Sequence, residues 1–151
     1  MVEQSQQKAK EWVAKAVKFY KNSGKEIALA EFTKPKGPFV QEAAYIFVLD
    51  TQGTMLAHGV NEGYVGQNFI NIKDSAGRDF VRDVVRTVNA EGNGWVDYQW
   101  YNPVTKDMRR KSAYFEKVDD IIICSGIYTE TLLDVIFTVS PETDINFFDF
   151  V

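Results

Sequence analysis

The hydrophobic positions change their period along the chain, and the changes divide it into elements. From about Glu3 to Asn22, Trp12, Val13, Ala16, Val17 and Tyr20 recur at three- and four-residue spacing, while Lys8, Lys10, Glu11, Lys15 and Lys18 mostly face elsewhere. That spacing predicts one long amphipathic helix. Asn22-Ser23-Gly24 ends it, with Gly24 a natural C-terminal cap. A second, short helix is predicted over Lys25 to Phe32, and Pro35-Lys36-Gly37-Pro38 stops it. The apolar stripe of the first helix reads as core packing; the alternative is a face through which two copies of the chain form a homodimer.

The period then falls to two. Ala43 to Leu49 is a β-branched and aromatic run, Asp50-Thr51-Gln52-Gly53 turns it, and Thr54 to Gly59 returns. A loop with Gly63 and Gly66 runs from Asn61 to Asp74. Asp74 or Ser75 is placed to cap a helix starting near Ala76, whose apolar face is Phe80, Val81, Val84, Val85 and Val88. Three strands follow, Gly94 to Tyr101, Met108 to Val118 and Ile121 to Tyr128, turned by Asn102 to Asp107 and by Asp119-Asp120. The tail from Thr129 to Val151 begins with a predicted short helix around Thr131 to Phe137. The order predicts an α+β domain: a five-stranded antiparallel sheet with helices gathered on one side and a pocket between sheet and loop-helix segment.

Composition narrows the class. A chain of 151 residues, 45% hydrophobic and 25% charged, suits one soluble domain with a real core. The net charge of −4 argues against a nucleic-acid partner, and the cluster Arg109 to Lys111 is too short to reverse that. The single cysteine, Cys124, excludes an internal disulfide and sits in an apolar run as a small core hydrophobe. No apolar stretch approaches the roughly 20 residues of a bilayer span, and the N-terminus does not read as a signal peptide. Two settings stay open: the cytosol, or export with the leader removed. One histidine, no nucleophile elbow, no two-histidine metal motif and no Gly-rich phosphate loop leave little for an enzyme to work with.

The chemistry concentrates between Gly94 and Tyr114. Alternation puts Val96, Tyr98 and Trp100 on one strand face and Trp95, Asp97 and Gln99 on the other. A face of Tyr and Trp is apolar in body with hydrogen-bonding tips, so it can wall a small cavity and still fix a polar ligand. Lys111, brought back by the next strand, would give that cavity a positive charge suited to a small anion. Its alternative is an exposed Arg-Arg-Lys turn in which the ammonium is solvated. Lys111 and Tyr114 differ in parity, so both face inward only if the strand bulges between them. His58, the lone histidine, stands at the end of its strand as a structural residue, a donor to a ligand, or an axial ligand to haem in a cytosolic PAS-like sensor. Nothing is placed for flavin adduct chemistry or dinucleotide binding.

These segments together resemble the Cache domains, specifically the single-Cache type found as extracytoplasmic sensors in bacterial chemoreceptors and histidine kinases. The resemblance is carried by Tyr45 to Asp50 with Gly53, Leu56-Ala57-His58-Gly59, Val65-Gly66-Gln67-Asn68, Asp74 with Gly77, the stretch GWVDYQWYNP from Gly94, Lys111 through Tyr114, and Gly126-Ile127-Tyr128. It implies a PAS-like sheet preceded by a long N-terminal helix, no enzymatic activity, no cofactor, and binding of a short carboxylate such as acetate, propionate, lactate or pyruvate. It implies a pocket drawn from His58, Tyr98, Trp100, Lys111 and Tyr114, with Asn68, Phe69 and Asp74 near it. On this reading residues 1–128 form the sensor domain and 129–151 an extension, and the setting is periplasmic. Membrane contact would be made only by segments outside this chain, as in a receptor; the alternative is a stand-alone periplasmic binding protein.

Overall fold

The computed structural model describes residues 2–128, among which lie three helices, six strands and one 3-10 turn. In chain order these are α1 (Val2–Ser23), α2 (Lys25–Thr33), β1 (Val40–Gln41), β2 (Ala44–Asp50), β3 (Met55–His58), the turn Glu62–Tyr64, α3 (Phe80–Glu91), β4 (Asn93–Asn102), β5 (Asp107–Val118) and β6 (Ile121–Tyr128). The strands form one antiparallel sheet in the order β1-β2-β6-β5-β4, with β3 also paired to β2. Five strands were expected, and the sixth is the two-residue β1, too short to show a period. The predicted helix around Thr131 to Phe137 and the proposed extension at 129–151 lie outside the described residues.

The helices do not gather on one side, as the sequence suggested; they cover both faces. α1 lays Ala9, Val13, Ala16 and Tyr20 against Ile46, Val48, Tyr114, Ile121 and Ile123, with Ala28 and Phe32 of α2 completing that layer. α3 lays Phe80, Val81, Val84 and Val88 against Tyr45, Phe47, Leu49, Val96, Tyr98, Ala113, Phe115, Ile122 and Cys124 on the other face. The α1 stripe is therefore core packing. A signal of the two-sided cover was present: Tyr45 to Leu49 is an unbroken apolar run, the mark of a strand buried on both faces.

The polypeptide is folded back onto the sheet at two points. Gly24, at φ +89, takes the chain from α1 into α2 with its N–H on the Tyr20 carbonyl. The Tyr20 hydroxyl in turn donates to Asp119 in the β5–β6 turn at 2.7 Å, pinning the end of α1 to the sheet. α3 begins at Phe80 rather than near Ala76. Asp74 instead holds a separate turn, accepting from the backbone N–H groups of Ala76 and Arg78 at 3.0 and 2.9 Å.

Candidate ligand cavity

β4, β5 and β6 pair residue for residue, Lys111 opposite both Tyr98 and Tyr128, with no bulge in β5. Strict alternation then sends Lys111 to the α3 face, with Ala113 and Phe115, and Tyr114 to the α1 face. Lys111 is 1% exposed, so the reading as a solvated turn residue fails. Its stem crosses β6 above Gly126, where a Cβ would stand 2.2 Å from Lys111 Cε. Glycine there is what lets the lysine arch from β5 toward β2.

The arch ends at Tyr45, whose hydroxyl accepts a hydrogen bond from Lys111 Nζ at 2.9 Å. Nζ also lies 4.3, 4.9, 5.5 and 5.8 Å from the ring centres of Tyr45, Phe47, Tyr128 and Tyr98. Aromatic faces attract an ammonium, but none of the ion pairs formed among the described residues includes Lys111. Burial pushes its pKa down from 10.5 to about 7.

His58 reaches the same space through a break in register. The β2–β3 pairing slips between Val48 and Leu49, so Met55 and His58, three positions apart, line one side. The imidazole Nδ1 accepts from the N–H groups of Val60 and Asn61 at 3.2 and 3.0 Å. The proton therefore sits on Nε2, which leaves His58 a donor only. Burial first, and the nearby Lys111 second, lower its pKa to about 3, so it is neutral at physiological pH.

Aromatic rings close the remaining walls. Tyr98 stacks on Phe80 of α3 with centres 4.1 Å apart. Tyr64 meets His58 edge-on at 4.9 Å, Phe69 at 5.5 Å and Trp100 at 5.8 Å. What remains between them is a cavity of about 20 Å³ reached by Phe47, His58, Phe69, Tyr98, Trp100 and Lys111. That is space for one or two water molecules. Two of its polar groups, the Lys111 ammonium and His58 Nε2–H, have only donors to offer.

Of the eight residues singled out in the sequence, the structure brings together His58, Phe69, Tyr98, Trp100 and Lys111 at this cavity. Three do not reach it. Tyr114 faces α1, packs on Trp95 with ring centres 5.3 Å apart, and donates to Glu116 at 2.8 Å. Asn68 is exposed, and its amide ties the loop to the β2–β3 turn through the Gln52 carbonyl and Thr54 Oγ1 at 3.0 and 3.1 Å. Asp74 staples its turn to β4, accepting from the Gln99 N–H at 3.0 Å; burial, the largest single influence, pushes its carboxyl up, but the three backbone N–H bonds and the Arg78 charge together hold it below the usual range. Sequence reasoning missed Tyr45, Tyr128 and Gly126. The tyrosines looked like strand core; glycine opposite an inward-facing alanine was the available sign of a side chain passing overhead.

The family model for Single Cache domain 2 matches residues 2–138. The chain belongs to that family. This Cache domain is similar in fold to a methyl-accepting chemotaxis protein of Vibrio parahaemolyticus, at 20% identity and a TM-score of 0.72, covering 84% of this chain and 90% of that one. It is similar as well to a structure that addresses carboxylic acid recognition by a Cache chemosensory domain, at 23% identity and a TM-score of 0.66, covering 85% and 92% of the two chains. In sequence it is 26% identical over 102 residues to the sensor histidine kinase MctS of Rhizobium johnstonii, covering 66% of this chain and 21% of that protein. It thus spans about a fifth of that relative's length. The PAS-like sheet with a long leading helix is the Cache arrangement, and its relatives are sensor and chemoreceptor ligand-binding domains rather than enzymes. Among the described residues no helix is long and apolar enough to cross a membrane.

Proposed function

We propose that this Cache domain is the extracytoplasmic ligand-binding module of a chemoreceptor or sensor kinase, and that its ligand is a compact monocarboxylate of the acetate, propionate, lactate or pyruvate kind. One observation carries the reading: a fully buried lysine without a carboxylate partner among the described residues, held at the edge of a cavity where His58 Nε2–H is also a donor. A buried charge without a counterion is costly, and an entering anion relieves that cost. A carboxylate has acceptors only, so it complements Lys111 and His58 Nε2–H, while the rings take the short apolar remainder. The likeness to a Cache domain studied for carboxylic acid recognition points the same way.

Size supports the smallest acids. A cavity of about 20 Å³ admits a carboxylate only if a wall moves, and Trp100 is the half-buried aromatic among its walls. A porphyrin or flavin ring would need a far larger rearrangement than a short acid, which favours the acid. Signalling then requires that the ligand prefer one of two positions of the sheet relative to α1, since a ligand acts only through its difference in affinity between states. A thermal-shift screen with formate, acetate, propionate, lactate and pyruvate tests the reading. The smallest acids should raise the melting point by mass action, and Lys111→Met should abolish the rise. A melting point unmoved by all of them would refute it.

A further inference from the structure

We infer that a carboxylate is bound here together with a proton that Lys111 takes from solvent, so the domain responds to the acid form and its affinity declines as the medium turns alkaline. The inference rests on the carboxylate reading and adds to it the protonation state of the site. It starts from what surrounds the ammonium. β2 presents Tyr45 and Phe47, β3 presents His58, β4 presents Tyr98 and Trp100, β6 presents Cys124 and Tyr128, and the 3-10 turn places Tyr64 beyond His58. α3 contributes only Phe80, Val81 and Val84. Burial raises the tyrosines Tyr45, Tyr98 and Tyr128 and the Cys124 thiol above their ordinary values, so these four carry no negative charge near neutrality.

Among the described residues Lys111 therefore has aromatic faces and one hydroxyl to hold a full charge, with little access to bulk solvent. Its amine in the empty cavity is divided between charged and neutral forms close to pH 7. A carboxylate seated against Nζ supplies the missing opposite charge and favours the ammonium, so the neutral fraction picks up a proton as the anion binds. The balance is simple: carboxylate, one solvent proton and the Lys111 amine give a carboxylate–ammonium pair, with no bond to carbon made or broken. His58 is the weaker base of the two, because Nδ1 is already committed to two backbone N–H groups and Lys111 lies close by. The same arrangement disfavours a dicarboxylate, whose second charge would meet Leu49, Met55, Val81, Val84 and Phe115.

Calorimetric titration with acetate, in two buffers of unlike ionisation enthalpy, reads the proton directly. Near pH 8.5 the difference between buffers should correspond to about one proton absorbed per acetate, and near pH 6 to about none. Affinity should fall about tenfold per pH unit above the Lys111 midpoint. In parallel, the ¹³Cε resonance of Lys111 in labelled protein should titrate near neutrality when acetate is absent and well above it when acetate is saturating. Buffer-independent heats with acetate bound, or a lysine that titrates at its ordinary value in the empty domain, would overturn the coupling and leave the carboxylate reading intact. Failure of acetate, propionate, lactate and pyruvate to bind at either pH would defeat the carboxylate reading, and the coupling with it.

Discussion

On the α1 side of the sheet, Ile46, Val48, Tyr114 and Ile123 meet Val13, Ala16 and Phe32, and Phe32 stands edge-on to Phe39 with ring centres 4.8 Å apart. On the α3 side the same strands turn over Tyr45, Phe47, Lys111 and Cys124, and α3 answers with Phe80, Val81 and Val84. The residues are interleaved one by one along β2, β5 and β6, so the two layers share every backbone hydrogen bond. What separates them is chemistry. One layer is filled with apolar volume; the other keeps a cation, an imidazole and several phenols around a small cavity. On the proposed reading a single sheet carries stability on one face and recognition on the other, and the difference can be tested face by face.

The largest effect belongs to the filled face. Phe32 is fully buried, and Phe32→Ala should cost about 3–5 kcal/mol in chemical denaturation, through lost transfer energy and a cavity that neighbours cannot fill. Acetate affinity of the fraction that folds should stay within about twofold, a margin of under 0.5 kcal/mol. A large loss of affinity there would mean that the two layers are not separable.

Lys111→Met should do the reverse. Acetate binding should weaken by about 2–5 kcal/mol in calorimetry, while the empty domain becomes more stable, by about 1–4 kcal/mol, because a buried charge gives way to a thioether of similar length. The pH dependence follows with a definite sign. The lysine titrates at about 7 when folded and 10.5 ordinarily. The unfolded chain binds the extra proton between those values, so stability from this group rises with pH across the window and is lost as pH falls back through 7. Lys111→Met should flatten that slope. It should leave in place the loss of stability between 6.5 and about 3 that follows from neutral, buried His58. Lower stability of the methionine variant at pH 7 would show that the ammonium is held by interactions other than those described.

Gly126→Ala is the subtler way to break the recognition face. The new methyl would collide with Lys111 Cε, so the lysine must leave its arch and lose Tyr45. Overpacking of this kind costs about 1–3 kcal/mol of stability, and acetate affinity should fall by roughly tenfold, about 1.4 kcal/mol. A crystal structure of the variant with the Lys111–Tyr45 bond preserved would count against the arch.

Most of this scaffold was legible in the chain. Gly and Pro punctuation bounded α1, α2 and the β2–β3 hairpin, and period-two runs placed β4 to β6 within a residue or two. Three features were not, each for its own reason. Asp74 accepts from N–H groups two and four residues on, which is what a helix cap also looks like locally; the bond to Gln99, 25 residues away, tells them apart and leaves no local trace. Tyr45 lies 66 residues from Lys111, so its role depends on strand order, not on its own neighbourhood. The inward face of Lys111 was undecidable until the register showed β5 to be free of a bulge, since a solvated turn and a buried strand end share the sequence Arg-Arg-Lys.

Tyr114 gives the smallest expected effect and the sharpest use of that register. It lies three residues from Lys111 on β5, and the family resemblance placed both in one pocket. With unbroken alternation, its hydroxyl ends on Glu116 and its ring on Trp95, beneath α1. Tyr114→Phe removes one hydrogen bond to a partly exposed carboxylate, which should cost about 0.5–1.5 kcal/mol of stability or less. Acetate affinity and proton uptake should not change, because no atom of Tyr114 lines the cavity. If calorimetry instead shows affinity falling severalfold while Phe32→Ala leaves it untouched, β5 must shift its register when ligand binds. The two faces would then be coupled through that strand, with Tyr114 the contact that carries the ligand's effect to α1.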